Sequence, residues 1–169
     1  MQLKSFIFSP FSENTYVLFD DSKECVIIDP GCYDEHERNE LKRFITKNEL
    51  TPVKLLNTHC HLDHVFGNKF VSEKYNIGME CHEGELPVLK SGPMVAKMYG
   101  VNMEISPDPV HFIAEGDVVE FGNTKLETLL TPGHSPASIC FYCRESNFII
   151  AGDTLFKLSI GRTDLPGGD

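Results

Sequence analysis

The densest constraint on this 169-residue chain is the run THCHLDH, which sets His59, His61, Asp63 and His64 within six residues, directly behind the apolar stretch VKLLN. A strand that ends in such a run can present polar side chains from a loop without burying unpaired backbone. Side chains alternate along extended backbone, so His59, His61 and Asp63 project to one side. A helix starting at this point turns His64 toward the same space. Imidazole and carboxylate donors suit zinc, iron or manganese. The plain alternative is a solvated polar loop. Two more segments weigh against it. LLTPGHSPAS places His134 in a rigid turn after a strand, and FIIAGDTLF places Asp153 after an apolar strand and a glycine. A lone turn His is ordinarily a surface residue, and an Asp after Gly an ordinary turn former. All three segments, however, stand at the C-terminal ends of predicted strands, and strand ends on one rim can converge.

The rest of the sequence predicts the scaffold for such a rim. LKSFIF (3–8), NTYVLFD (14–20), CVIIDP (25–30) and VKLLNTH (53–59) read as strands. The segment 34–50 reads as a helix, with Asp34 as its cap, Glu37 three residues on, and an apolar face of Leu41, Phe44 and Ile45. GNKFVSEKYN (67–76) reads as a short helix with Phe70 and Val71 inward. Residues 83–99 read as helical but broken at Ser91-Gly92-Pro93, and 102–111 as a Pro-punctuated loop. DVVEF (117–121), KLETLL (125–130), SICFYC (138–143) and NFIIAG (147–152) return to strands. Strands, helices, then strands imply sheets with helices packed outside. No helical pattern follows Ala151, so the outer face of the second sheet is expected to lack cover, and the chain reads as C-terminally incomplete.

Length suggests one domain over residues 1–169. A net charge of −10 and scattered basic residues argue against a nucleic-acid partner. No apolar run approaches the roughly 20 residues of a membrane span, and the N-terminus has no signal-peptide pattern. A cytoplasmic protein acting on a small molecule is the expectation; the sequence leaves the oligomeric state open. The six cysteines then read as reduced thiols filling apolar space.

THCHLDH, TPGHSPAS and AGDTLF, with the early IIDPG and the continuation LFKLSIGRTDLPGGD, together resemble the metallo-β-lactamase superfamily, and in particular its small hydrolases related to glyoxalase II. The resemblance implies an αββα sandwich, here without its C-terminal portion. It implies two divalent metal ions, zinc foremost, with iron or manganese as alternatives. His59, His61 and His134 would hold the first, Asp63 and His64 the second, and Asp153 both. The family adds a further His from a late loop; no His follows His134 here, so the intact gene is expected to encode more residues, including one. A His at position 64 resembles the thioester-hydrolase and dioxygenase branches.

The implied chemistry is attack of a metal-activated water on a thioester carbonyl, with Asp63 orienting it. A mononuclear iron oxygenase using His59, His134 and Asp153 is the alternative reaction, and a structural zinc site the non-catalytic one. Arg162 and Lys157 are candidates for meeting an anionic substrate, against the simpler role of solvated charges. Met94, Met98 and Tyr99 either wall the site or, as Met and Tyr at helical spacing more often do, pack in the core. His82 is a lesser pocket candidate. His36 and His111 read as structural or exposed. Cys140 and Cys143 point to opposite faces of one strand, which argues against a shared zinc.

Overall fold

The computed structural model describes residues 1–169 throughout. Strands β1 (Gln2–Phe8), β2 (Glu13–Phe19) and β3 (Glu24–Ile28) form an antiparallel meander. Helix α1 (Glu35–Lys47) then crosses over, so that β4 (Thr51–Leu56) pairs parallel to β3. The short strands β5 (Met79–Cys81) and β6 (His111–Phe112) extend the sheet in parallel, giving the order β1-β2-β3-β4-β5-β6. Between β4 and β6 lie α2 (Leu62–Val65), α3 (Asn68–Tyr75) and α4 (Leu86–Tyr99). A second, antiparallel sheet has the order β10-β9-β8-β7, from β7 (Val118–Phe121), β8 (Thr124–Leu130), β9 (Ile139–Cys143) and β10 (Phe148–Ile150). A two-stranded hairpin, β11 (Leu155–Phe156) with β12 (Ser159–Ile160), follows.

Period-two alternation divides the first sheet's side chains between two cores. Val17, Cys25, Ile27 and Leu55 face the helices, together with Leu41, Ile45 and Val71. Their neighbours Leu18, Val26, Ile28 and Leu56 face the second sheet and pack on Leu126, Ile139 and Phe141. Strands covered on both faces read as continuous apolar runs, which is why CVII carries no polar residue. The layers are therefore helix, sheet, sheet. No helix of this chain covers the outer face of the second sheet, where Val118, Leu129 and Ile149 are exposed.

Local chemistry sets the boundaries. The Asp34 carboxylate accepts the Glu37 N–H at 2.9 Å and starts α1. Glu37 reaches back one residue further than a capping box would, to the N–H groups of Tyr33 (2.6 Å) and Ser9 (2.8 Å). The expected break at Ser91-Gly92-Pro93 does not occur: α4 runs unbroken through it. Gly92 has no Cβ to clash with the following proline ring and lies so close to Met103 that a Cβ would sit 2.9 Å from its methyl. Burial of Leu89 and Ala96 holds the helix together despite the one missing N–H.

A carboxylate also ties the two sheets together. Asp20, just after β2, accepts the N–H (2.9 Å) and hydroxyl (2.5 Å) of Ser22. It also accepts the N–H of Asn123 (2.7 Å), in the turn between β7 and β8, and the hydroxyl of Thr124 (2.9 Å), the first residue of β8. Burial pushes its carboxyl up, but these hydrogen bonds prevail and hold it at about 2.

Candidate metal centre

The C-terminal ends of β3, β4 and β5 open on one rim of the sandwich, and the β8–β9 loop and the turn after β10 reach the same rim from the other sheet. The Ile139 N–H donates to the Thr58 carbonyl at 2.8 Å and joins the two sheets there. Gly152, at φ 49°, brings the turn bearing Asp153 against Thr58; a Cβ would lie 2.3 Å from the Thr58 hydroxyl, so only glycine allows this approach.

The six residues singled out from the sequence all come to this rim. One nitrogen each from His59, His61 and His134 lies within 4.8 Å of the others, and His61 Nδ1 is 2.9 Å from His134 Nε2. α2 begins directly after His61 and turns His64 inward. His64 Nε2 then stands 3.4 Å from Asp153 Oδ1 and 3.8 Å from Asp63 Oδ2. The other oxygen of Asp153 is 3.4 Å from His134 Nε2. Asp153 thus sits between a three-imidazole group and a group of His64 with Asp63.

Hydrogen bonding dictates which ring nitrogens carry protons. His134 Nδ1 is 2.8 Å from the Arg162 carbonyl, which can only accept, so Nδ1 is protonated and Nε2 offers a lone pair. The Thr58 hydroxyl donates to Asp29 Oδ2 at 2.6 Å, which uses its one proton. It therefore accepts from His59 Nδ1 at 3.0 Å. His59 Nε2 is left as a lone pair. It is fully buried and has no hydrogen-bond partner, an arrangement that costs free energy unless something positive meets it. These residues therefore fit a divalent cation: two imidazoles have their distal nitrogens fixed by acceptors, the usual support for a metal-ligating His.

Electrostatics disfavours a positive charge on His59 and His61. Burial, then the charges of His64, His61 and His134, pushes His59 well below the ordinary imidazole range. Burial and the neighbouring His134 and His64 bring His61 down to about 4. Burial raises the Asp63 carboxyl. Burial also raises Asp153, but contact with His64 and the imidazole charges outweigh it and hold Asp153 low.

Beside the centre is a cavity of about 430 Å³. His61, Asp63, His134 and Asp153 line one side; Phe11, Met94, Met98, Tyr99 and Leu165 contribute an apolar wall. Core packing, the more ordinary expectation for Met94, Met98 and Tyr99, is overturned: they are 64, 78 and 57% exposed. α4 runs along the rim and presents them outward to the cavity. Arg162 lines the cavity too, but its guanidinium holds the Asp164 carboxylate at 2.7 and 2.8 Å. Lys157 is exposed elsewhere, and His36 and His111 are exposed as expected. His82 Nδ1 accepts the Gly84 N–H and does not line the cavity. All six cysteines are free and buried.

Sequence reasoning left Asp29 and Thr58 without a role. Asp29 accepts the Thr58 N–H at 2.7 Å as well as its hydroxyl, and is fully buried at φ 50°, a conformation uncommon for a non-glycine residue. IIDPG was a signal for it; the partner could not be read until β3 and β4 were placed side by side. Glu13 and Glu85, both buried near the rim, carried no signal at all.

Comparison with known proteins gives a consistent picture. The family described as the metallo-beta-lactamase superfamily matches residues 9–169. "Probable metallo-hydrolase YqgX" of Bacillus subtilis is 37% identical over 95% of this chain and 74% of its own length. "Hydroxyacylglutathione hydrolase GloC" of Haemophilus influenzae is 34% identical over 94% of this chain and 74% of that protein. Among solved structures, the B3 metallo-beta-lactamase BLEG-1 superposes with a TM-score of 0.87 at 32% identity, covering 99% of this chain and 79% of that one. TTHA1623, solved in a di-iron-bound form, gives 0.86 at 34% identity, covering 98% and 79%.

Proposed function

The chain belongs to the metallo-β-lactamase superfamily, and from that premise we propose that it hydrolyses thioesters with two divalent cations held on its own side chains. His59, His61 and His134 would hold one cation, Asp63 and His64 the other, with Asp153 shared. The observation that carries this is the buried, partnerless His59 Nε2, in a group of three imidazoles that each bring a nitrogen within 4.8 Å of the others. When bound, such cations make water acidic enough to ionise near neutral pH and polarise a carbonyl oxygen.

The remaining tasks fall to the protein. The Asp29–Thr58 pair and the Arg162 carbonyl keep His59 and His134 in the metal-binding tautomer. Asp63 lines the cavity and orients the attacking water. A thiolate leaves without a strong general acid, since free thiols ionise near pH 8.5. The hydroxyacylglutathione hydrolase among the relatives supports the thioester class. The apolar wall, whose one cationic lining residue is already paired with Asp164, favours an apolar substituent over an anionic one.

Elemental analysis of the purified protein, then a substrate panel, tests this. The panel holds S-lactoylglutathione, a thioester with an apolar thiol, a cephalosporin, and a persulfide under oxygen. We expect about two zinc, iron or manganese ions per chain and thioester turnover without oxygen uptake. One iron with oxygen-dependent turnover, or turnover of the cephalosporin alone, would overturn the proposal.

A further inference from the structure

Glu85 closes the one-turn 3-10 helix Glu83–Glu85 that leads into α4, and its side chain is 0% exposed. Its carboxylate does not cap that helix. Oε2 accepts the Cys60 N–H at 2.9 Å, and Oε1 accepts the Ala137 N–H at 2.8 Å. The Ser135 hydroxyl lies 2.7 and 2.8 Å from the two oxygens. Cys60 stands between His59 and His61, and Ser135 follows His134. One buried carboxylate therefore fastens the backbone of both loops that carry the three-imidazole group, which lie more than seventy residues apart in sequence.

Taking a carboxylate out of water costs several kcal/mol unless its oxygens are fully hydrogen-bonded. Here they are bonded almost entirely to the two loops, and to none of the imidazoles. The loops need such a tie. His61 and His134 come from different sheets, and a shift of about 1 Å between loops is enough to spoil a metal-binding or catalytic geometry. The Ile139-to-Thr58 bond joins the sheets deeper in the rim; Glu85 is the tie at the level of the imidazoles themselves.

We infer that Glu85 is a positioning residue for the three-imidazole site: it sets the spacing of His61 and His134, and so the affinity for the cation they would share. This rests on the metal-binding role proposed above. Glu85→Gln keeps size and one acceptor oxygen but turns the other into an N–H donor facing donors. We expect metal affinity, measured by competition with a chromogenic chelator, to fall about 10–100-fold, as for other groups that orient metal ligands. Circular dichroism should show the variant folded, and in metal-saturated samples kcat should drop with KM unchanged. Ser135→Ala, which removes one hydroxyl and leaves both N–H bonds, should lose affinity a few-fold and serves if the Gln variant does not fold. Wild-type affinity in Glu85→Gln, or in Ser135→Ala where the former is unfolded, overturns the positioning role alone. A parent protein that binds no metal overturns both that role and the function proposed above.

Discussion

At the scale of single residues, the centre depends on how protons are placed before any cation is considered. A buried imidazole is a good donor only if its other nitrogen is committed, and Thr58 and the Arg162 carbonyl make those commitments for His59 and His134. His59 is the sharpest test because its Nε2 has no other use. His59→Ala should bind at least one fewer metal ion per chain and lose more than about 100-fold in turnover, beyond what the loss of a merely orienting partner costs. Its far-UV circular dichroism should stay close to the parent's, since the substitution leaves both large apolar cores and the backbone bonds of the strands in place. Full turnover in this variant would remove residue 59 from the site.

Among elements, the distinctive features are a helix that continues where its sequence argues for a stop, and a carboxylate staple between sheets. α4 survives Gly92-Pro93 because its buried face holds it, and in surviving it carries Met94, Met98 and Tyr99 along the rim as the cavity's apolar wall. The staple, Asp20, can be tested through pH. Its folded carboxyl is held at about 2, below the ordinary 3.8, so its stabilisation is present above about pH 4 and lost as pH falls through 2. Asp20→Asn should therefore be less stable than the parent by about 1–3 kcal/mol in urea titrations at neutral pH. The gap should close toward pH 2. A gap of constant size from pH 2 to 7 would show that the carboxylate's charge is not what joins the sheets.

The whole molecule separates what holds it together from what it would use for chemistry. Its two large apolar cores, of 16 and 12 residues, lie on either side of the first sheet, and the six candidate ligands stand on the loops, turns and short helix α2 at the strand ends. Stripping metal with a strong chelator should therefore abolish hydrolysis and leave secondary structure intact. The melting temperature should fall only by the few degrees that loss of a bound ligand entails. Unfolding on chelation would instead indicate a closed structural site. The chain spans about three-quarters of the length of the curated relatives it matches, and no helix in it is long and apolar enough to cross a membrane.

The sequence alone determined the eight strands β1–β4 and β7–β10 but not the short β5, β6, β11 and β12; it also determined the cap of α1, the lack of helices over the second sheet, and which six side chains would gather on one rim. Those are consequences of short-range periodicity and of ligand residues placed at strand ends, and they are written locally. It could not settle α4, because packing against Met103 and the core overrode the local signal of Gly92-Pro93. Nor could it single out Asp29, Thr58 or Glu85 as supports. An aspartate in a turn or a glutamate among other acids is unremarkable in sequence. Each acquires its task only when distant backbone is brought within hydrogen-bond reach of it, and that is a property of tertiary structure.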